Sequence, residues 1–184
     1  LNNTVITALQ DFELQKISSL STAHDIVAVF EKRPPQNNFM PVAKITLALD
    51  TIQDPGNLGT IIRIADWFGI ENIVCSIGCA DMYNAKVVQS TMGSLGRVNV
   101  IYTDLVCWLQ ENNQVKIYAA SLEGGDVKTM GKLTEGIIIT GNEANGVSDA
   151  VMDMVHEKIT ILRIGEAESL NAAVATGIIL SHIT

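Results

Sequence analysis

From residue 45 to the C-terminus, short runs of β-branched apolar residues alternate with longer amphipathic stretches. This is the pattern of a parallel sheet built from strand–helix–strand units. The pattern predicts strands over residues 45–49, 72–76, 98–102, 116–120, 136–140 and 158–162. It predicts helices over 58–68, 85–95, 104–112 and 149–155, and a last helix over 170–183. The expected fold class is therefore α/β, with a mostly parallel sheet and helices on both of its faces.

The chain ahead of this repeat is different. It predicts a helix near residues 12–17 and a strand over 25–30, too little to form a domain alone. Residues 31–44 hold Arg33-Pro34-Pro35 and then Gln36-Asn37-Asn38, polar and without periodicity, which reads as a linker. A boundary near Pro41 divides the chain into residues 1–40 and 41–184. Internal repeats and low-complexity tracts are missing.

Composition narrows the class. A chain of 184 residues suffices for one well-buried domain plus part of another. Hydrophobic residues make up 47% and charged residues 17%, with a mean hydropathy of +0.26, so the interior is large, as a sheet covered on both faces requires. No apolar run reaches the ~18 residues that span a bilayer, and no charged segment precedes a short apolar one at the start. A soluble, cytoplasmic protein is expected. The chain opens on Leu1 rather than Met, so further residues are expected ahead of it.

Cys75, Cys79 and Cys107 are odd in number and form no CxxC pair, so they read as buried free thiols, not a disulfide framework or zinc site. His24, His156 and His182 stand in no ligand-spaced motif, and no metal is expected. The net charge of −8 opposes broad phosphate binding. Charge is local, however, and the residues expected ahead of Leu1 would have room for a basic surface.

Chemistry concentrates in three segments, each following a predicted strand. The first is Asp50-Thr51-Ile52-Gln53-Asp54-Pro55-Gly56-Asn57-Leu58-Gly59, with Arg63 on the helix beyond. Pro55-Gly56 turns the chain, and Asn57 suits a helix N-cap that presents backbone N–H groups to an anion. The second is Gly141-Asn142-Glu143-Ala144-Asn145-Gly146, where two glycines allow a sharp turn and close approach to a ligand around an accepting carboxylate. The third runs from Ile161 to Asn171. Ser169 is placed to cap the last helix, and Asn171 falls in its first turn, an odd choice beside Ala172, Ala173 and Ala175.

Singly, each segment also fits an ordinary strand-to-helix loop. Together they converge on the carboxyl ends of the strands, where open α/β sheets bind ligands. There is no GxGxxG after the first strand, no P-loop, no GxSxG and no HExxH, which disfavours a conventional Rossmann methyltransferase or dehydrogenase.

These segments resemble the SpoU branch of the SPOUT RNA methyltransferases. Its three motifs stand in order: N-x-G-x(3)-R as Asn57, Gly59 and Arg63; G-x-E-x-x-G as Gly141, Glu143 and Gly146; and S-L-N as Ser169, Leu170 and Asn171. The resemblance covers about residue 45 to the end. It implies a parallel sheet whose C-terminal segment is tucked into a trefoil knot. S-adenosylmethionine is implied against the second and third motifs, by carry-over at Thr140, Gly141, Asn142, Glu143, Gly146, Ile161, Leu162, Ile164, Ser169 and Leu170. An obligate homodimer with sites at its interface is implied too, and residues 1–40 resemble the end of the small RNA-binding domain that often precedes the catalytic one. Two departures stand out. Leu162-Arg163 replaces the family's usual Pro-Met, and Gly96 stands where an apolar residue often precedes Arg97.

The activity implied is methylation of a ribose 2′-hydroxyl in tRNA or rRNA, with Arg63, Asn57, Glu143, Ser169 and Asn171 forming the catalytic set. Arg63 would contact the ribose and its phosphate, Asn57 and Glu143 would position it or one another, and Ser169 with Asn171 would complete the site. A guanidinium is always protonated, so a positioning role for Arg63 is expected ahead of a general-base role. Alternatives are a catalytically silent RNA-binding module of the same fold, a flavodoxin-like nucleotide-binding regulator, and a base-methylating relative.

Overall fold

The computed structural model describes residues 5–18, 25–34, 36 and 39–184. Six strands form one sheet in the order β3-β2-β1-β5-β4-β6: β1 is Ile45–Asp50, β2 Asn72–Ser76, β3 Asn99–Thr103, β4 Ile117–Asp126, β5 Gly136–Gly141 and β6 Glu157–Thr160. Every recorded pairing is parallel. The order runs outward from β1 in one direction and resumes on its other side at β5, so β1 and β5 flank the switch point of the sheet.

Among the described residues six α-helices accompany the strands: α1 Asp11–Ile17, α2 Pro55–Trp67, α3 Ala85–Thr91, α4 Leu105–Glu111, α5 Asp149–Met152 and α6 Ala172–Ile183. Alternate residues of β1 feed two separate cores. Leu47 and Leu49 pack with Leu58, Ile61 and Ile62 of α2 and Leu180 of α6. Ala48 packs with Leu105, Trp108 and Leu109 of α4 and Val151 of α5. Helices on both faces explain why β1 and β5 are apolar without alternation, being buried twice over.

The expected strands and helices recur in order from residue 45 onward, but several ends differ for identifiable reasons. Helix α2 begins at Pro55, capped by Asp54, whose carboxylate accepts from the Asn57 N–H at 2.8 Å. Proline needs no donor in a first turn, so it starts the helix and Asn57 lies inside it. Helix α6 is capped by Asn171, whose side chain accepts from Ala173 N and Val174 N, and Ser169 caps nothing. The predicted helix over 85–95 breaks at Met92 and Gly93, both left-handed, and resumes as a single 3-10 turn, Ser94–Gly96. Helix α5 stops at Met152, short of residue 155, and β6 stops at Thr160, releasing Ile161 and Leu162 from the sheet. Strand β4 outruns its predicted end, pairing irregularly with β6 as far as Asp126.

The chain divides into two compact units, Leu1–Pro34 and Pro35–Thr184. In the first, α1 forms as expected, while the predicted strand over 25–30 is absent: the described backbone there is irregular. A strand needs a neighbour for its N–H and C=O groups, and none pairs with it among the described residues. In the second, Gln36 exchanges two hydrogen bonds with the Asn99 side chain. Phe39 packs against Trp108 with ring centres 6.1 Å apart. Residues on either side of Pro41 thus belong to the second unit. Of the histidines, His24 lies outside the described residues; His156 accepts from Ile117 N through Nδ1 at 3.0 Å, and His182 contacts Ile178 O. The cysteines are free but not uniformly buried: Cys75 is, Cys79 is half-buried and Cys107 is exposed.

Candidate active site

Asp50 ends β1 and lies in register beside Gly141, which ends β5. The loops leaving the two strands therefore start side by side, at the switch point where such sheets open a crevice. Asp50 is buried, and its Oδ2 accepts from Ser148 N at 2.8 Å and Ser148 Oγ at 2.6 Å. A buried carboxylate so satisfied ties the approach to α5 to the end of β1. Thr51 comes next with φ 58°, a left-handed conformation foreign to β-branched residues. It is held from both sides: its N–H donates to Ser76 Oγ at 2.9 Å, and its carbonyl accepts from Asn142 Nδ2 at 3.0 Å.

The second motif folds back on itself. Asn142 and Gly146 exchange backbone hydrogen bonds of 3.0 and 2.8 Å across the three residues between them. Gly146 has φ 69°, and a Cβ on Gly141 would lie 2.2 Å from the Gly146 carbonyl. Both glycines are thus required, one by its dihedral and the other by close approach. Glu143 sits at the tip of this turn and accepts from Asn57 Nδ2.

The third motif reaches the first. After β6, at the sheet edge, the chain returns until Asn171 Nδ2 donates to Asn57 Oδ1 at 2.8 Å. The three motifs are therefore joined by side-chain hydrogen bonds running Asn171 to Asn57 to Glu143. The direction of that chain is set by α6. Because the Asn171 oxygen accepts from Ala173 N and Val174 N, its NH₂ must face Asn57; the Asn57 oxygen then receives it, leaving the Asn57 NH₂ for Glu143.

Beside this chain lies a cavity of about 720 Å³, within the usual range for small-molecule sites. All ten residues that the sequence assigned to the cofactor lie on its wall, from the buried Thr140 to the almost fully exposed Ile164. Its charged wall residues are Glu123, Glu143, Glu168 and Arg163. Three carboxylates, one guanidinium and apolar side chains suit a ligand that is cationic at more than one point, carries an anionic group and has a flat apolar part. Arg63 stands apart: exposed on α2, off the cavity wall, with no hydrogen bond or ion pair to a described residue. Ser169 is exposed on the wall.

Asp50 and Thr51 open the first segment without a role assigned to them, and Ser148 stands outside all three segments; an Asp ending an apolar strand was the only signal. Cys79 reads from the sequence only as a buried free thiol, but it also supports the first loop. Its thiol lies beneath the first loop, accepting from Ile52 N and donating to Leu49 O at 3.3 Å each. A hydrogen bond from Cys75, outweighing burial, brings Cys79 down to about 7. Among the described residues, no cluster of His, Cys, Asp and Glu could hold a metal, and no helix is long and apolar enough to cross a membrane.

A model of the SpoU rRNA Methylase family matches residues 44–181. The chain is 32% identical over 178 residues to the 23S rRNA (guanosine(2553)-2′-O)-methyltransferase RlmP of Bacillus subtilis, covering 95% of this chain and 71% of that protein. It is 30% identical to an uncharacterized tRNA/rRNA methyltransferase of Synechocystis, covering 91% of this chain and 62% of that protein. An AdoMet-bound rRNA methyltransferase from Sinorhizobium meliloti superposes with a TM-score of 0.75 at 30% identity, over 83% of this chain and 60% of its own.

Proposed function

The chain belongs to the SpoU rRNA methylase family, and on that premise we propose that it transfers the methyl group of S-adenosylmethionine to a ribose 2′-hydroxyl of RNA. The observation that carries this reading is the hydrogen-bonded chain Asn171–Asn57–Glu143 beside the cavity. A binding module needs the cavity or the RNA surface but has no use for three distant motifs locked together at one edge.

The cavity fits the cofactor's chemistry. Its wall carboxylates Glu123, Glu143 and Glu168 suit the sulfonium and the ammonium, and the glycine turn 141–146 lets backbone groups approach the adenosine. When bound, the cofactor supplies an electrophilic methyl group on sulfur, which departs as a neutral thioether. Around it, the chain's residues orient and stabilise. Arg63, exposed and without a partner among the described residues, offers a planar guanidinium to an incoming phosphate and holds the ribose beside it. Asn57 and Glu143 fix one another. Ser169 forms part of the cavity wall, two residues before Asn171. The 2′-hydroxyl proton passes to water or a phosphate oxygen, since Arg63 is already protonated. Positioning and electrostatics supply most of the acceleration.

Several finer features belong to this reading. The return of residues 161–171 from the sheet edge to Asn57 supports the tuck of a trefoil knot. Leu162, Ile164, Leu170 and Val174 are exposed together around the third motif, which supports a homodimer whose interface borders the site. Ile6, Val29 and Phe30 are exposed in the first unit, which suits the end of a larger RNA-binding domain. The cytoplasm, where RNA is modified, is the location that follows.

The test is chemical. Methylating a 2′-oxygen blocks its attack on the neighbouring phosphate, so alkali leaves a dinucleotide there. Unmodified rRNA and tRNA treated with the protein and methyl-labelled cofactor are expected to yield labelled alkali-resistant dinucleotides. Label confined to mononucleotides would establish a base methyltransferase instead, and RNA bound without label a silent module.

A further inference from the structure

Arg163 stands where the family resemblance places methionine, and it is the only basic side chain on the cavity wall among the described residues. It lies in the loop between β6 and α6, where one guanidinium N–H donates to Ala167 O at 3.2 Å. That bond closes a short loop and holds the side chain against the cavity. A guanidinium has five donors, so the others remain for a ligand. Glu123, Glu143 and Glu168 share the wall, and Glu143 already receives Asn57; none forms an ion pair with Arg163 among the described residues.

A methionine at this position would offer only apolar contact. A lone guanidinium among carboxylates does something else: it makes one part of an otherwise cation-selective cavity attractive to an anion. S-adenosylmethionine has a single anionic group, the α-carboxylate. We infer that Arg163 binds that carboxylate and thereby selects the complete amino-acid moiety of the cofactor, a specificity contact added by this chain. The inference rests on the methyl-transfer reading above. The fork geometry suits a carboxylate held by two parallel N–H groups, which an ammonium does not reproduce. The site is open to water, so the contact is worth the lower end of what hydrogen bonds to charged groups contribute, about tenfold in affinity.

The experiment is calorimetric titration of the full chain with S-adenosylmethionine, its demethylated product and decarboxylated S-adenosylmethionine, which keeps the sulfonium and adenosine but lacks the carboxylate. The unaltered chain is expected to bind the decarboxylated compound about tenfold more weakly than the other two. Arg163→Ala and Arg163→Met are expected to weaken S-adenosylmethionine and its product about tenfold and to leave the decarboxylated compound within twofold; Arg163→Lys falls between. Equal weakening of all three ligands would mean that Arg163 only shapes its loop through Ala167, and would overturn the inference. So would unchanged affinity for all three with weaker RNA binding, which would assign Arg163 to a phosphate. If the unaltered chain binds neither S-adenosylmethionine nor its product, the methyl-transfer reading itself fails and the inference with it. If it binds them normally but the Arg163 variants still bind the decarboxylated compound as much more weakly as the unaltered chain does, that reading stands and the inference alone is lost.

Discussion

Asn171 caps α6 with its side-chain oxygen and, with its nitrogen, donates to Asn57 Oδ1 at 2.8 Å, across 114 residues of sequence. One amide thus serves the helix and the site at once, and the two duties can be separated. Aspartate caps as well as asparagine but has no N–H to donate. Asn171→Asp is expected to keep its melting temperature within a few degrees and to lose roughly 100-fold in methyl transfer, as the Asn57 amide loses the bond that orients it toward Glu143. Asn171→Ala is expected to lose that activity and about 1 kcal/mol of stability besides. An Asn171→Asp variant of normal activity would show the relay to be idle.

Gly141 tests the second motif. A Cβ there would meet the Gly146 carbonyl at 2.2 Å and Val147 N at 2.3 Å. Both are backbone atoms, so no side chain can step aside. Gly141→Ala is expected to cost about 2 kcal/mol or more and to abolish cofactor binding in calorimetry, because the turn must open. Gly59→Ala makes a contrast. Its Cβ would meet Ser90 Oγ at 1.9 Å but also Val87 O at 2.7 Å. Removing the hydroxyl with Ser90→Ala is expected to recover only part of the lost stability, since the backbone contact between α2 and α3 remains.

How far the sequence revealed all this depends on the range of the interaction. The strands were legible because β1 and β5, apolar on both faces, and the helices between them carry their periods locally. Caps were less so: around residues 54–57 and 169–171 several polar residues could cap, and the choice fell to Asp54 and Asn171. Spacing does not show that Asn57 binds both neighbours, nor that Pro55 leads the helix. The strand expected over 25–30 had the right residues but no partner among the described ones, and strand pairing is not a local property. The roles of Asp50 and Thr51 were not legible because they consist of contacts to Ser148, Ser76 and Asn142, far away in the chain.

Acid stability offers a further check. The Arg97 guanidinium, joined by the Ser94 hydroxyl, holds the Asp66 carboxyl below the usual carboxylate range. Its folded value is depressed, so its contribution is fully present above the unfolded value of about 3.9 and is lost as pH falls through the folded one. Melting curves of the unaltered chain and Asp66→Asn are therefore expected to differ at pH 6 and to converge as the pH falls through the depressed folded value. A constant difference across that range would assign the effect to packing instead of charge.

Arg63 carries the sharpest prediction about chemistry, because it touches nothing that the fold needs. It is exposed on α2 between Ile62, which is buried, and Ile64, which is half-buried, and it has no hydrogen-bonding partner among the described residues. Its replacement should leave stability within about 0.5 kcal/mol, as for surface sites generally. Since it is off the cavity wall, affinity for S-adenosylmethionine should also stay the same. What it offers is a charged fork on the same helix as Asn57, six residues further along, or about 9 Å of rise. On the proposed reading, a phosphate gripped there would order the ribose for attack. Arg63→Ala is expected to lose 100-fold or more in labelled alkali-resistant dinucleotides. Arg63→Lys should recover little, because a point charge on a flexible stem restores attraction but not the two-pronged geometry. If Arg63→Lys were as active as the unaltered chain, the residue would supply charge alone; if Arg63→Ala were, it would have no part in the reaction.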